Sequence, residues 1–209
     1  MIGRIIDTDA DIREGMAVLC RHEPRFAQAL AMTGKLPLRR RPDGFATLFS
    51  AIVSQQISVA AANAVWRKLE ISGLTVRAKV RRASEIELRD CGLSRQKADY
   101  ARSLAASDIR FGELRSAPDS EVIAALVQVR GIGRWTAEIY AMFALGRADV
   151  FAPGDLALQE AARLLFDLDA RPSEKALRQM ALAWSPWQSV AARLLWAYYR
   201  VAKDREGIT

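Results

Sequence analysis

The chain has 209 residues, of which 51% are apolar and 26% charged, a composition typical of a globular protein with one domain or two small lobes. No apolar run approaches the ~20 residues that a membrane-spanning helix needs, and the N-terminal residues lack the pattern of a secretory signal, so we expect a cytoplasmic protein without membrane contact. The formal net charge of +7 favours a polyanionic partner but does not by itself require one.

The chain contains few residues that bind metals or act as thiol nucleophiles. Its two cysteines, Cys20 and Cys91, are too few for a four-thiolate iron–sulfur cluster or a cysteine zinc site. They also lie far apart in the sequence and indicate no disulfide scaffold. The single histidine, His22, has no neighbouring nucleophile of the kind that a catalytic triad needs. We therefore expect no iron–sulfur cluster and no required cofactor.

Helical periodicity dominates from the N-terminus onward. Apolar residues at helical spacing predict a first helix that Pro24 interrupts and a short second helix that closes at Gly34. A basic, proline-containing connector follows and indicates a lobe boundary. Its three consecutive arginines, Arg39–Arg41, are either solvated or, beside DNA, in contact with phosphate.

The remaining segments also predict helices, most of them with a recognisable start signal. Residues 45–53 carry an apolar face, and the alanine-rich stretch after them suits close helix packing. Ser84 with Glu87 has the spacing of a capping box, Ser94 is a second N-cap, and Pro118 opens a further helix. Because no alternating strand of useful length occurs, we predict an all-α fold of about nine to eleven helices joined by short turns.

A glycine-rich turn, Arg130-Gly131-Ile132-Gly133-Arg134, separates two of the predicted helices. Glycine permits the backbone angles of a tight turn and lets the backbone approach a ligand without side chains in the way. The N-terminus of the second helix presents free N–H groups and a positive dipole end, which suit a phosphate, and the two arginines add charge. An ordinary αα-hairpin with glycine in its loop explains this motif alone equally well.

A single carboxylate, Asp155, follows Pro153 and Gly154 and opens the next predicted helix. An aspartate at a helix start is most often an N-cap, and the helix N-terminus favours its ionised form. A carboxylate held ionised in this way can also stabilise a positive charge that develops beside it. The capping role and a chemical role are therefore compatible in one residue.

Four ordered segments resemble the helix–hairpin–helix DNA glycosylases, which carry a Gly/Pro-rich loop followed by an essential Asp. They are "LFSAIVSQQISVAAANAVWRKL", "CGLSRQKADYARSLA", "VRGIGRWTAEIYAMFALGRADVFAPGDLAL" and "WSPWQSVAARLLWAYYR", and together they span most of residues 45–200. The match is most similar to the 3-methyladenine DNA glycosylase II branch. The resemblance implies base excision repair of double-stranded damaged DNA by a monomeric, nucleoid-associated enzyme that flips out alkylated purines, such as 3-methyladenine or 7-methylguanine, and hydrolyses the N-glycosidic bond.

The resemblance also assigns the chemistry within this motif. Asp155 matches the essential carboxylate of the family, which stabilises the charge that develops at the sugar. Trp135 stands where the bifunctional relatives have a lysine, whose amine forms a Schiff base that leads to strand cleavage. Because an indole cannot do this, the resemblance implies a monofunctional glycosylase without AP lyase activity. The C-terminal cysteine quartet of the iron–sulfur relatives is absent.

Aromatic side chains are candidates for the pocket that receives the flipped base, because N3- and N7-alkylated purines are cations and stack on electron-rich rings. By resemblance, Trp135 and Trp196 match the pocket tryptophans of the family. Tyr140, Phe45 and Trp187 are weaker candidates. Tryptophans at helical spacing are usually core residues, and for Trp66, Trp184 and Trp187 packing is the favoured interpretation.

The segment "SQQIS" matches the loop from which the family inserts a wedge into the DNA. Gln56 stands at the wedge position, where the best-known member has leucine, and a glutamine there could hydrogen-bond the orphaned partner base. Gln55 and Ser58 are candidate DNA contacts in the same loop. A helix C-terminal turn with exposed amides is almost as good an interpretation of this segment.

The resemblance further implies a monovalent cation, Na⁺ or K⁺, held by the main-chain carbonyls of Val127, Val129 and Ile132. It also implies two helical lobes with a cleft between them. One lobe is expected at 44–150, with the hairpin at about 122–145, and the other combines 1–43 with 151–209 and carries the catalytic Asp. We expect a compact form without the extra N-terminal domain of the best-known relative.

Two alternatives to this function remain at the level of the sequence. The first is a non-catalytic helix–hairpin–helix DNA-binding module, which the Pro-Gly-Asp context of Asp155 disfavours. The second is a glycosylase for another lesion, such as hypoxanthine, uracil or an oxidised purine. Trp135 disfavours the lyase types of this alternative.

Overall fold

The computed structural model describes residues 3–205, and this part of the chain is helical. Within it, the only strand-like pairing is a single bridge between Ile5 and Arg147, which confirms the all-α prediction. The helices are α1 (Asp9–His22), α2 (Pro24–Thr33), α3 (Phe45–Ser54), α4 (Val59–Ile71), α5 (Arg77–Arg82), α6 (Glu85–Asp90), α7 (Arg95–Ala106), α8 (Phe111–Leu114), α9 (Asp119–Val127), α10 (Arg134–Phe143), α11 (Leu156–Phe166), α12 (Glu174–Ala181) and α13 (Gln188–Arg205), with a 3₁₀ helix (Leu182–Trp184) between α12 and α13.

The described residues form thirteen α-helices, two more than the upper limit that the sequence predicts. The additional ones are α5 and α8, of six and four residues. Each buries a single apolar residue, Val80 in α5 and Leu114 in α8. Segments this short contain no repeat of the apolar pattern, so helical periodicity cannot reveal them.

The predicted start signals are present as hydrogen bonds. The Ser84 hydroxyl oxygen accepts from the Glu87 backbone N–H at 3.2 Å, and the Glu87 carboxylate accepts from the Ser84 N–H at 2.8 Å. Ser94 caps α7 by accepting from the Lys97 N–H at 3.3 Å. These bonds satisfy N–H groups that have no partner within the first turn of a helix.

The chain divides into two compact units. Unit 1 comprises the described residues up to 40 and from 141 onward, and its core is built by α1, α2, α11 and α13. Phe26 and Phe166 contact Trp184 there, with ring centroids 5.4 and 5.8 Å away. Trp184 and Trp187 are 5% and 3% exposed, which confirms the packing interpretation for both.

Unit 2 comprises residues 41–140, and its core is built by α3 to α7. Phe49 is fully buried and meets the half-buried Trp66 edge-on at 5.7 Å. The Trp66 indole N–H donates to Glu70 at 2.9 Å, so this tryptophan belongs to the α3–α4 packing.

The division at residue 140 lies ten residues before the lobe boundary expected at 150. Residues 141–150 join unit 1 because the N-terminal segment pairs with them. The Ile6 N–H donates to the Gly146 carbonyl at 2.7 Å, and the Ala148 N–H donates to the Arg4 carbonyl at 3.0 Å.

The Arg39–Arg41 run is not simply solvated. The Arg40 guanidinium donates to the Ala144 carbonyl at 3.0 Å and pairs with Asp7 at 3.0 Å. Arg40 therefore stabilises the C-terminal end of α10 within unit 1.

Within residues 3–205, no helix is both long and apolar enough to cross a membrane. Cys91 is buried and Cys20 half-buried, both as free thiols, and His22 is exposed.

Candidate active site and nucleic-acid interface

Asp155 is the N-cap of α11, as its position after Pro153 and Gly154 predicts. Its Oδ1 accepts from the backbone N–H groups of Ala157 at 3.0 Å and Leu158 at 3.1 Å. The carboxylate is half-buried. The positive end of α11 thus stabilises a negative charge at this position.

The turn that carries Asp155 is braced by its own helix. The Gln159 side-chain amide, which is 8% exposed, donates to the Pro153 carbonyl at 2.8 Å. The Asp155 N–H donates to the Ala152 carbonyl at 3.0 Å. Both bonds hold the backbone of the Pro-Gly-Asp turn, so the position of the carboxylate depends on a rigid element.

Trp196 provides a third donor to the same carboxylate oxygen. It lies on α13 and is half-buried, and its indole Nε1–H donates to Asp155 Oδ1 at 3.2 Å. Three N–H groups therefore converge on one oxygen and fix the plane of the carboxylate. The site combines an oriented anion with a half-buried aromatic side chain, an arrangement that can stabilise a cation.

The sequence motif predicts a stacking role for Trp196 and gives no sign of its hydrogen bond to Asp155. Phe143 and Arg193, which the motif does not mark, extend the contact from the Trp196 ring. The Phe143 ring lies 5.8 Å from the Trp196 ring, and the Arg193 guanidinium lies 4.6 Å above the Phe143 ring. A signal for Arg193 was present, because a residue three positions before Trp196 shares its side of a helix.

The glycine-rich turn between α9 and α10 is a helix–hairpin–helix. Gly131 has φ +93°, a conformation that L side chains rarely adopt, and a Cβ at this residue would collide with the Tyr100 ring. The Val129 carbonyl accepts from the Ile132 N–H at 3.0 Å and closes the turn. Gly131 is therefore required by the fold of unit 2 itself.

Gly133 differs from Gly131 in this respect. It is exposed, its φ is not in the left-handed region, and a Cβ built on it would meet no atom within 4 Å. The packing of the protein does not require glycine here. The absent side chain instead leaves the N-terminus of α10 uncovered, which suits the close approach of a phosphate.

The two arginines of the hairpin have different surroundings. Arg130 is exposed and stands 5.9 Å from the Tyr100 ring. Arg134 pairs with Glu138 at 3.0 Å, and the Glu138 side chain is only 1% exposed. Arg134 therefore compensates a buried carboxylate, while its own side chain stays 56% exposed towards solvent.

The loop between α3 and α4 carries the predicted wedge. Gln56 is exposed and adopts φ +57°, an uncommon conformation for a residue other than glycine. Gln55 is half-buried, and its amide donates to the Gly131 carbonyl at 3.0 Å, which ties this loop to the hairpin. Ser58 is exposed and caps α4 by accepting from the Ala61 N–H at 3.2 Å.

Only one of the three pocket candidates in unit 2 is open to solvent. Trp135 is 45% exposed, whereas Tyr140 and Phe45 are 3% and 8% exposed. The Tyr140 hydroxyl oxygen accepts from the Gly44 N–H at 2.8 Å, and burial raises the Tyr140 pKa to about 12. Tyr140 and Phe45 are therefore buried side chains of unit 2, and their assignment to the base pocket stays a prediction.

The comparisons with known proteins agree with this architecture. A structure of a DNA-3-methyladenine glycosidase from Bacillus halodurans is 31% identical, with a TM-score of 0.80 over 95% of this chain and 93% of that one. A Schizosaccharomyces pombe 3-methyladenine DNA glycosylase, Mag1, solved in complex with abasic DNA, is 26% identical, with a TM-score of 0.74 over 88% and 95% of the two chains.

A curated relative, the putative DNA-3-methyladenine glycosylase YfjP of Bacillus subtilis, is 35% identical over 53% of this chain. The match spans 40% of the length of YfjP. The model of the HhH-GPD superfamily of base excision DNA repair proteins matches residues 49–187, well over half of the chain. The resemblance carried by the four sequence segments is confirmed, and the chain belongs to the HhH-GPD superfamily of base excision DNA repair proteins.

Proposed function

We propose that this chain is a monofunctional DNA glycosylase that removes alkylated purines, of the 3-methyladenine and 7-methylguanine type, from double-stranded DNA. The observation that carries the proposal is the carboxylate of Asp155, half-buried at the N-terminus of α11 with its Oδ1 bound by the Trp196 indole N–H. Membership of a base excision repair family and relatives named 3-methyladenine glycosylases support it.

The proposed reaction breaks the bond between the sugar C1′ and the base nitrogen. The electron pair goes to the base, and because an N3- or N7-alkylated purine carries a positive charge, it departs as a neutral molecule. The sugar is left as a cation, which water attacks at C1′ with loss of a proton to solvent. The negative charge of Asp155 stabilises the sugar cation, and the convergent N–H donors keep the carboxylate in place while the charge develops.

The proposed DNA-binding residues of the hairpin and of the wedge loop lie in unit 2. The N–H groups at the start of α10, uncovered at Gly133, are suited to a backbone phosphate, and the exposed Arg130 adds positive charge nearby. Gln56, held in a left-handed turn, is the proposed wedge that enters the duplex and bonds the orphaned base. The hydrogen bond from the Gln55 side chain to the Gly131 carbonyl joins the wedge loop to the hairpin.

The absence of AP lyase activity is part of the proposal. It rests on Trp135, which stands where the lyase-active relatives have a lysine and offers no amine for a Schiff base. Borohydride treatment of the protein on damaged DNA is expected to trap no covalent adduct. A trapped protein–DNA adduct would contradict the monofunctional assignment.

An alkali cation is also proposed at the hairpin, held by the carbonyls of Val127, Val129 and Ile132. These carbonyls follow the C-terminal end of α9, where the helix dipole is negative and suits a cation. The Val129 carbonyl already accepts a bond from Ile132, so it would have to share its second lone pair. The cation would supply positive charge to a phosphate and no step of the reaction. We further propose a monomer that works in the cytoplasm, nucleoid-associated.

The test is an assay of free bases released from duplex DNA that carries methylated, deaminated or oxidised lesions in separate samples. The proposal expects release of 3-methyladenine or 7-methylguanine from methylated DNA. Release of only hypoxanthine, uracil or an oxidised purine would replace the substrate class. Tight DNA binding without release of any base would leave the alternative of a non-catalytic DNA-binding module.

A further inference from the structure

We propose that Arg193 and Phe143 are positioning residues that hold Trp196 in the orientation in which its indole N–H bonds the catalytic carboxylate of Asp155. This inference rests on the proposed function for the role of Asp155. Neither residue touches Asp155, and each would act through Trp196.

Arg193 is the fixed point of this arrangement. Its side chain is 2% exposed. The guanidinium donates to the Ser189 carbonyl at 2.8 Å and to the Ser189 hydroxyl, and from its other side to the Leu38 carbonyl at 3.4 and 3.3 Å. Bonds on both sides of a planar group leave it little freedom to rotate.

The surroundings of Arg193 destabilise a positive charge. Its hydrogen-bond partners among the described residues are neutral oxygen atoms, and burial lowers its pKa to about 10, with Arg39 and Arg40 adding repulsion. The group therefore stays protonated at neutral pH in a site that disfavours charge. A buried guanidinium whose described partners are all neutral lowers the stability of the fold. A fixed, planar cation against an aromatic ring can, however, hold that ring in one orientation.

Phe143 transmits this rigidity. It is the last residue of α10 and is 7% exposed. The Arg193 guanidinium carbon lies 4.6 Å from the ring centroid, and Arg40 donates to the Phe143 carbonyl at 3.3 Å. Both the ring and the backbone of Phe143 are thus held by an arginine.

The Phe143 ring in turn meets the Trp196 ring at 5.8 Å with an angle of 35° between the planes. An indole turns about two side-chain bonds, so the direction in which its N–H points depends on the rotamer of Trp196. The Phe143 ring limits that rotation, so the 3.2 Å bond from Trp196 Nε1 to Asp155 is preorganised rather than formed on demand. Removing the ring would therefore slow the chemical step more than it weakens DNA binding.

The experiment compares Phe143→Leu with a matched control, Phe26→Leu, which removes a fully buried ring from the core of unit 1. Single-turnover base release and affinity for abasic DNA are measured for both. We expect Phe143→Leu to lower the single-turnover rate about tenfold with affinity within a factor of two, and Phe26→Leu to change neither.

Each substitution is repeated in a Trp196→Phe background, which keeps an aromatic ring and removes the N–H. If Phe143 acts through that N–H, its substitution has no additional effect there. Equal losses in both backgrounds, or a parallel fall of rate and affinity, would overturn the inference. Arg193→Lys, which keeps the charge and loses the planar plate, is expected to resemble Phe143→Leu.

A spectroscopic readout is independent of activity. The indole ¹⁵N–¹H resonance of Trp196 is assigned by its loss in Trp196→Phe. We expect Asp155→Asn to shift it, Phe143→Leu to shift it more in the wild-type background than in Asp155→Asn, and Phe26→Leu to leave it in place. Equal shifts of Phe143→Leu in both backgrounds would reflect only the lost ring current and refute the positioning role, even if the enzyme is active. A wild type that releases no base while the resonance responds as expected refutes the proposed function and leaves the positioning of the side chains intact.

Discussion

The two glycines of the hairpin provide a sharp test because the structure gives them different reasons for being glycine. Gly131→Ala should damage the fold, and Gly133→Ala should damage DNA binding. Gly112→Ala serves as the matched control, since Gly112 lies in the same unit and a Cβ there also meets no atom within 4 Å.

The cost of Gly131→Ala has two parts. An L-residue at φ +93° costs about 1–2 kcal/mol. The new Cβ would also lie 2.6 Å from the Tyr100 Cβ, where ordinary contact begins at 3.4 Å, and such overpacking costs about 1–3 kcal/mol. The sum of about 2–5 kcal/mol predicts a fall in Tm of about 4–20 °C for a chain of this size.

Gly133→Ala should leave stability within about 0.5 kcal/mol, because neither its backbone conformation nor its space is restricted. The added methyl group would instead hold a phosphate away from the start of α10. The loss of one hydrogen bond to a charged group is worth about 1.5 kcal/mol, or about tenfold in Kd.

Thermal unfolding and fluorescence anisotropy with an abasic duplex measure the two effects separately. Gly112→Ala should match the wild type in both assays. The reasoning is refuted if Gly133→Ala binds DNA as tightly as the wild type, or if Gly131→Ala unfolds at the wild-type Tm.

Three other predictions concern single side chains. Asp155→Asn keeps an acceptor for the cap of α11 and should abolish nearly all base release with little change in Tm, whereas Asp155→Ala should also cost about 1 kcal/mol of stability in thermal unfolding. Tyr140→Phe should be about 1 kcal/mol less stable in urea at pH 8, where the Gly44 N–H loses its acceptor. Because the Tyr140 pKa is raised to about 12, the wild type loses stability between about pH 10 and 12, whereas Tyr140→Phe does not. The stability difference between the two proteins should therefore shrink in that range, and a constant difference would contradict the raised pKa. Arg130→Ala should reduce the steepness of the plot of log affinity against log salt concentration by about 1, the value for one lost phosphate contact. An unchanged slope would show that Arg130 does not contact the DNA.

Local signals in the sequence account for much of the fold. The capping box at Ser84, the N-cap at Ser94 and the N-cap at Asp155 are each written within four residues of the chain, and all three occur as hydrogen bonds. Helical periodicity identified the longer helices for the same reason, because their apolar faces repeat several times. It missed α5 and α8, which are too short to repeat.

The parts that could not be predicted depend on residues far apart in the sequence. The bond from Trp196 to Asp155 spans 41 positions, and that from Gln55 to the Gly131 carbonyl spans 76. No periodic pattern encodes such contacts. The same limit explains the lobe boundary, since residues 141–150 join unit 1 through pairing between Ile6 and Gly146.

Burial of aromatic side chains was a further limit. Tyr140 and Trp135 lie on the same helix, and both are aromatic residues of the kind expected in a base pocket. Tyr140 is nevertheless 3% exposed and Trp135 45% exposed. Their five-residue spacing places them on different sides of α10, and on the Tyr140 side the Gly44 N–H, from another part of unit 2, meets the hydroxyl. Only the assembled unit could reveal that partner.

The most direct test of the account is release of free 3-methyladenine from methylated duplex DNA by the wild type and by Asp155→Asn, with DNA affinity measured on the same preparations. The account predicts release by the wild type, a loss of roughly a thousandfold in Asp155→Asn for removal of one charge beside the sugar, and similar affinities for both. Release at the wild-type rate by Asp155→Asn, or DNA binding by the wild type without release of any base, would contradict it.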